Sequence, residues 1–234
     1  MNLVLDIGNS SIKAGLFNES VLIETRRLHD LKELPALFDM KQVEFIAICS
    51  VGIQQKDIDI ENIFMFVDAS TPMPFSINYN TPLTLGSDRL AAVAGANALF
   101  PDRHCLVIDS GTCLTFEVIT NNNEYQGGAI SPGIDMRFKA MHNYTASLPL
   151  VEADTSFDLI GKSTIDCMKS GVLNGFVNEI NGVIEQYQAR FENLQIILCG
   201  GNLHLFESKV KASIFVQPDL VLLGLNTILE YNVG

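Results

Sequence analysis

Leu3-Val4-Leu5-Asp6-Ile7-Gly8-Asn9-Ser10-Ser11-Ile12-Lys13 runs an apolar strand into a carboxylate, a Gly-Asn bend with small hydroxyl residues, and a lysine. Residues 3–5 have the unbroken apolar character of a buried strand, and Gly8-Asn9 predicts a tight turn at positive φ with backbone N–H groups directed into the bend. Such a turn can seat a phosphate. Asp6, at the strand's end, would repel a phosphate directly, so its role beside one is to hold a cation or a cation's water, and the functional reading requires Mg²⁺. The same residues also suit an ordinary hairpin in which Asp6 caps the turn.

A second copy favours the phosphate reading. Cys105-Leu106-Val107-Ile108-Asp109-Ser110-Gly111-Thr112-Cys113-Leu114-Thr115-Phe116 repeats the order of apolar strand, Asp, one residue, Gly, hydroxyl or amide, and outgoing strand. Asp6 aligns with Asp109, Gly8 with Gly111 and Asn9 with Thr112. A unit repeated midway predicts two similar domains, residues 1–103 and 104–234, each lending one phosphate-side loop. A third glycine turn at Gly200-Gly201 follows the apolar run 196–198 and would let a base or ribose approach the backbone.

Outward from these turns, 12–17 and 21–27 read as antiparallel strands, 43–51 and 63–67 as buried strands, and 28–40, 90–100, 134–144, 164–190 and 219–231 as helices. The alternation is that of an α/β sheet protein. The length of 234 residues, 47% hydrophobic and 18% charged, allows substantial cores. A net charge of −12 without a Lys/Arg run excludes nonspecific nucleic-acid or anionic-membrane binding. No apolar run is long enough to span a bilayer, and the N-terminus has no basic flank of a signal peptide. The five cysteines are scattered without C-x-x-C, which predicts reduced core thiols and a cytoplasmic setting.

Gly86-Ser87-Asp88-Arg89 opens the Ala-rich helix. Asp in a first turn is commonly a cap. Beside Arg89, a cation able to fork onto a substrate, it is also what alcohol phosphorylation needs, a base for the hydroxyl proton next to a group that orients the acceptor. Gly161-Lys162-Ser163 imitates the end of a P-loop, but the required earlier glycine would fall at Ser156, so that reading is rejected. Gly171, Gly175 and Gly182 along the long helix predict close packing, on the chain's own sheet or on a second subunit.

With Gly127-Gly128-Ala129-Ile130-Ser131-Pro132-Gly133 and Pro218-Asp219-Leu220-Val221-Leu222-Leu223-Gly224-Leu225, these motifs resemble the acetate and sugar kinase, heat-shock chaperone ATPase and actin superfamily. Within it the resemblance is to the type III pantothenate kinases and spans nearly the whole chain. It implies two ribonuclease-H-like domains with mixed sheets flanked by helices, facing each other across a nucleotide cleft. It implies transfer of phosphate from ATP to pantothenate, with Asp88 as general base. ATP would be held by Asp6, Ile7, Gly8, Asn9, Ser10, Ser11, Ile12, Lys13 and Thr112. Pantothenate would be held by Tyr79, Gly86, Ser87, Asp88, Arg89 and Thr164. Asp6 would serve Mg²⁺, through water, and Asp109 a monovalent cation, K⁺ or NH₄⁺. A homodimer is implied as well. The alternatives are a kinase of another small alcohol or sugar in the superfamily, since phosphate loops report ATP and not the acceptor, and a regulatory homologue without catalysis.

Overall fold

The computed structural model describes residues 1–8, 11–52, 55–58, 60 and 64–234. Along the chain come β1 (Asn2–Ile7), β2 (Ile12–Asn18), β3 (Val21–Leu28), α1 (Leu34–Leu37), β4 (Phe45–Ser50), β5 (Phe64–Phe66), β6 (Ser76–Ile77) and α2 (Ser87–Leu99). There follow β7 (Cys105–Ser110), β8 (Cys113–Ile119), β9 (Glu124–Pro132), α3 (Ile134–Asn143), α4 (Thr164–Lys169), α5 (Gly175–Arg190), β10 (Gln195–Gly200), β11 (Phe215–Val216) and α6 (Leu220–Val233).

The chain forms two compact units, one of Met1–Asp102, Ile119–Gly127 and Asp219–Gly234, the other of Arg103–Val118 and Gly128–Pro218. In the first, the sheet order is β3-β2-β1-β4-β5. β1, β2 and β3 are antiparallel neighbours, while β4 and β5 continue the sheet in parallel. Leu3, Leu5, Ile7, Ile46 and Ile48 form its core with Leu28 and Leu34. In the second unit five strands run in the order β11-β10-β7-β8-β9, with β10 and β11 parallel to β7, and β6 pairs with β9 as the sixth strand of that sheet. Its core gathers Ile108, Phe116, Phe138, Phe176 and Phe206. The two orders are the same once β7 is matched to β1 and β10 to β4, so the repeated motif marks a repeated fold.

The units differ from the division at 103/104 expected from sequence order. Helix α6 packs on α2, β1, β2 and β4 of the first unit. It is apolar on most of its surface and buries Leu220, Leu222, Leu225, Ile228 and Leu229. Such a helix must be covered, and the small-residue face of α2 receives it: a Cβ on Gly95 would lie 2.5 Å from Leu220 O, and one on Gly224 1.7 Å from Ala91 O. Asn226 fixes the register, accepting from Asn2 Nδ2 at 2.9 Å and donating to Glu19 O at 3.0 Å.

The helix expected over 28–40 shrinks to a 3₁₀ turn and the four residues of α1. Asp30 and Glu33 form a capping box that starts the turn late, and Pro35 sits in the first turn of α1. The helix expected over 164–190 is continuous but holds a π turn, Ser170–Asn174, between α4 and α5.

Candidate active site

In the first unit, Asp6 is the penultimate residue of β1. Its ladder partners are Lys13 on β2 and Cys49 on β4, which sets Lys13, Asp6 and Cys49 side by side on one face of the sheet. Cys49 Sγ donates to Asp6 Oδ1 at 3.4 Å. Burial raises the Asp6 pKa and the charge of Asp88 raises it further, while the Cys49 hydrogen bond and Lys13 oppose the rise. Burial and the Asp6 charge push the Cys49 thiol well up, so it stays a donor. Lys13 Nζ is 2.8 Å from Asp219 Oδ1, at the start of α6.

Gly8 donates its N–H to Ser11 O at 3.1 Å. Gly8 itself is not at positive φ, the glycines that are being Gly127 and Gly200, while Asn9, the other half of the expected turn, and Ser10 lie outside the described residues. The nearest described atom to a Cβ on Gly8 would be Ser11 O at 3.4 Å, an ordinary contact. Gly111 is alike, with Asp109 Oδ1 at 3.7 Å. Among the described residues neither backbone strain nor crowding requires glycine at these two turns, so the missing side chain leaves space beside each. Ile7 and Ile12 pair across the turn with their side chains in the core, so only their backbone groups can face a ligand.

Gly86 caps α2 in extended conformation. A Cβ there would lie 2.5 Å from Asp88 Oδ1, so glycine makes room for this carboxylate. Asp88 Oδ1 also accepts the N–H of Arg89 at 2.8 Å, the capping interaction that sequence allowed. Ser87 is buried, with Oγ 3.5 Å from Ser50 O. Arg89 donates through Nη2 to Tyr125 Oη at 3.1 Å and stands 6.0 Å from the centre of the Tyr79 ring. Tyr79 and Tyr125 stack at 6.2 Å.

In the second unit, Asp109 is the penultimate residue of β7, and its ladder partner on β10 is Cys199, repeating the pairing of Asp6 with Cys49. Gly200 has φ +102, and a Cβ on it would fall 2.5 Å from Asp109 Oδ1. Glycine is demanded here by the positive φ and by the Ser110 carbonyl oxygen, which a Cβ would meet at 2.4 Å. Gly201 faces open space, and its N–H donates to Ser110 O at 3.1 Å. Thr112 O accepts from Gly133 N at 3.2 Å. Thr164 is exposed at the first turn of α4, and Ser163 caps that helix by accepting from Asp166 N at 3.1 Å. The hydroxyl that imitated a P-loop serine is a helix cap. Gly171, Gly175 and Gly182 have nothing within 4 Å of a built Cβ, which removes packing on the chain's own sheet as their explanation.

A family model described as type III pantothenate kinase matches residues 2–186. A type III pantothenate kinase of Cytophaga hutchinsonii is 45% identical over 238 residues, with 100% of each chain covered. The chain belongs to the type III pantothenate kinase family. A second relative of that name, from Christiangramia forsetii, is 40% identical and covers 99% of each chain. Among solved structures, a Baf family protein of Campylobacter jejuni superposes with a TM-score of 0.63 at 22% identity, over 98% of each chain. That likeness is one of fold.

Against the family pattern, the first unit brings Asp6, Lys13, Asp88, Arg89 and Tyr79 into two adjoining groups, while Asp109, Thr112 and Thr164 belong to the second unit. Tyr125, Cys49, Asp219 and Gly127 were not singled out as site residues from sequence. Cys49 and Tyr125 lie in strands and read as core; their partners are set by ladder register and by a contact 36 positions away. Asp219 was quoted in a motif, and only its pairing with Lys13 gives it a role.

Proposed function

We propose that this chain transfers the γ-phosphoryl group of ATP to the primary hydroxyl of pantothenate, forming 4′-phosphopantothenate and ADP at the entry to coenzyme A synthesis. Full-length similarity to type III pantothenate kinases supports the substrate. The arrangement that carries the reading is Asp88 at the head of α2, oriented by the Arg89 N–H and near enough to Asp6 to raise its pKa. Asp88 accepts the hydroxyl proton as the oxygen attacks phosphorus in line. Arg89, Tyr79, Gly86, Ser87 and Thr164 hold the acceptor. Lys13 and the backbone of 6–13 meet the phosphates, and Thr112 adds a hydroxyl and an N–H.

Asp6, Asp88 and Asp219 outnumber Lys13 and Arg89, a charge balance that suits a divalent cation. Among the described residues no cluster of three or more His, Cys, Asp or Glu could hold a metal by itself. Mg²⁺ would thus be shared between Asp6, water and the phosphates, which is the ordinary manner for this ion. When bound it neutralises charge developing on the transferred group. Asp109, given room by Gly200, offers an oxygen for K⁺ or NH₄⁺. The chain would act as a cytoplasmic homodimer; what supports the dimer is that the second unit exposes Tyr144, Leu150, Leu159, Ile160 and Ile165, with room for a partner helix at the open glycines of the π turn and α5. Among the described residues no helix is long and apolar enough to cross a membrane.

ADP formation measured with and without pantothenate, and with Na⁺ in place of K⁺, tests the assignment. Turnover should require pantothenate, be absent with hexoses, and fall in Na⁺. A rate indifferent to pantothenate overturns it. Light scattering on the purified protein should give twice the 25.7 kDa chain mass, and the chain mass alone would refute the dimer.

A further inference from the structure

We infer that Tyr125 is a positioning residue that sets two acceptor-side groups, Arg89 and Tyr79, with a single buried side chain. The inference rests on the reading of Arg89 and Tyr79 as pantothenate contacts. Tyr125 is at 0% exposure in β9, the largest fully buried side chain of the molecule among the described residues. A phenol with so little solvent must satisfy its hydroxyl internally, and it does so partly by accepting from Arg89 Nη2 at 3.1 Å. The acceptor is neutral. A carboxylate in that place would compete with an anionic substrate for the guanidinium, whereas a phenol orients the fork without adding an opposing charge of its own.

The ring of the same residue stacks on Tyr79 at 6.2 Å with an interplanar angle of 23°. Tyr79 is confined from another side by Gly127, whose φ is +85 and whose hypothetical Cβ would stand 3.1 Å from Tyr79 Cδ2 and Cε2. The third contact of the set is the Arg89 guanidinium, 6.0 Å from the Tyr79 ring centre. β9 enters the group through a two-residue parallel pairing, Ser76 with Glu124 and Ile77 with Tyr125, and that pairing also delivers Tyr79 two residues further on. One short ladder thus brings the backing ring and the ring it backs to the same place. The consequence is specific to the acceptor: the contacts that tie Tyr125, Arg89 and Tyr79 together include neither Lys13 nor Asp6.

Tyr125→Phe keeps the ring and the packing and deletes only the oxygen. It should raise KM for pantothenate about tenfold, the scale of losing one hydrogen bond to a charged group, and leave KM for ATP and the thermal midpoint near the parent values. In an Arg89→Lys background, where the fork is already gone, adding Tyr125→Phe should change KM for pantothenate less than twofold. Pantothenate affinity measured calorimetrically without ATP should follow the same pattern. An unchanged KM for pantothenate in Tyr125→Phe overturns the inference, as does an equal rise for both substrates or a full effect that persists beside Arg89→Lys. If Arg89→Lys alone leaves KM for pantothenate unchanged, the acceptor-site assignment itself fails. If Arg89→Lys raises it and Tyr125→Phe does not, only the positioning role is lost.

Discussion

At the scale of single residues, the site contrasts groups whose identity the chain itself demands with groups whose identity only a ligand explains. Gly200 is of the first kind, because its φ is +102 and a Cβ would run into the Ser110 carbonyl, and Gly86 is so more weakly, since a Cβ there would meet only the carboxylate end of Asp88. Gly8 is of the second. Gly8→Ala should therefore melt within about 2 °C of the parent yet raise KM for ATP by about tenfold, since a methyl group would occupy the space over the turn; a large drop in the melting midpoint would show that the glycine is structural. Asp88→Asn keeps shape and the N–H bond from Arg89 but cannot take a proton, and kcat should fall on the order of 10²–10⁴-fold with the fold intact by circular dichroism. Near-normal turnover would remove Asp88 from the mechanism. Cys49 tests the S–H bond to Asp6: Cys49→Ser, which still donates, should keep kcat/KM for ATP within about threefold, and Cys49→Val, which cannot, should lose about tenfold. Equal behaviour of the two would mean that the thiol only fills space.

Among the elements, α2 and α6 make the demand on sequence most plainly. Their backbones approach so closely that Gly95 and Gly224 admit no side chain, and Gly224→Ala would press a methyl to 1.7 Å from Ala91 O. Separating the helices should cost about 3 kcal/mol or more and lower Tm by roughly 10 °C, measured by calorimetry. Because α2 carries Asp88 and Arg89 and α6 begins beside Asp219, the same variant should also lose activity below its melting range. Sequence foretold both helices and their ends closely. It overextended the helix at 28–40, because apolar spacing runs on where β3 still reaches Leu28, Asp30 caps the turn that begins after it, and Phe38 is already extended. It could not foresee the π turn at Ser170–Asn174, since one extra residue in a turn leaves the composition of the helix unchanged.

For the whole molecule, the return of 219–234 to the first unit means that residues 1–103 are not a self-sufficient domain. That fragment expressed alone would leave the apolar face of α2 and β1 uncovered, and its circular dichroism should show no cooperative thermal transition; a sharp transition would show that α6 is dispensable. What the sequence determined by itself is the local and repeated part: the strand, aspartate and glycine turn written twice, the helix opened by Gly86-Ser87-Asp88-Arg89, the family that those motifs resemble. Such features are legible because turn chemistry and apolar runs act over a few neighbouring residues. Tertiary structure alone decided which distant residues meet. Parallel register sets Cys49 against Asp6 and Cys199 against Asp109, the packing of α6 brings Asp219 to Lys13, and a two-residue ladder places Tyr125 under Arg89. These pairings depend on which strands become neighbours and on which apolar faces cover each other, a choice made by burial over the entire chain, and no window of sequence around any one of these residues contains it.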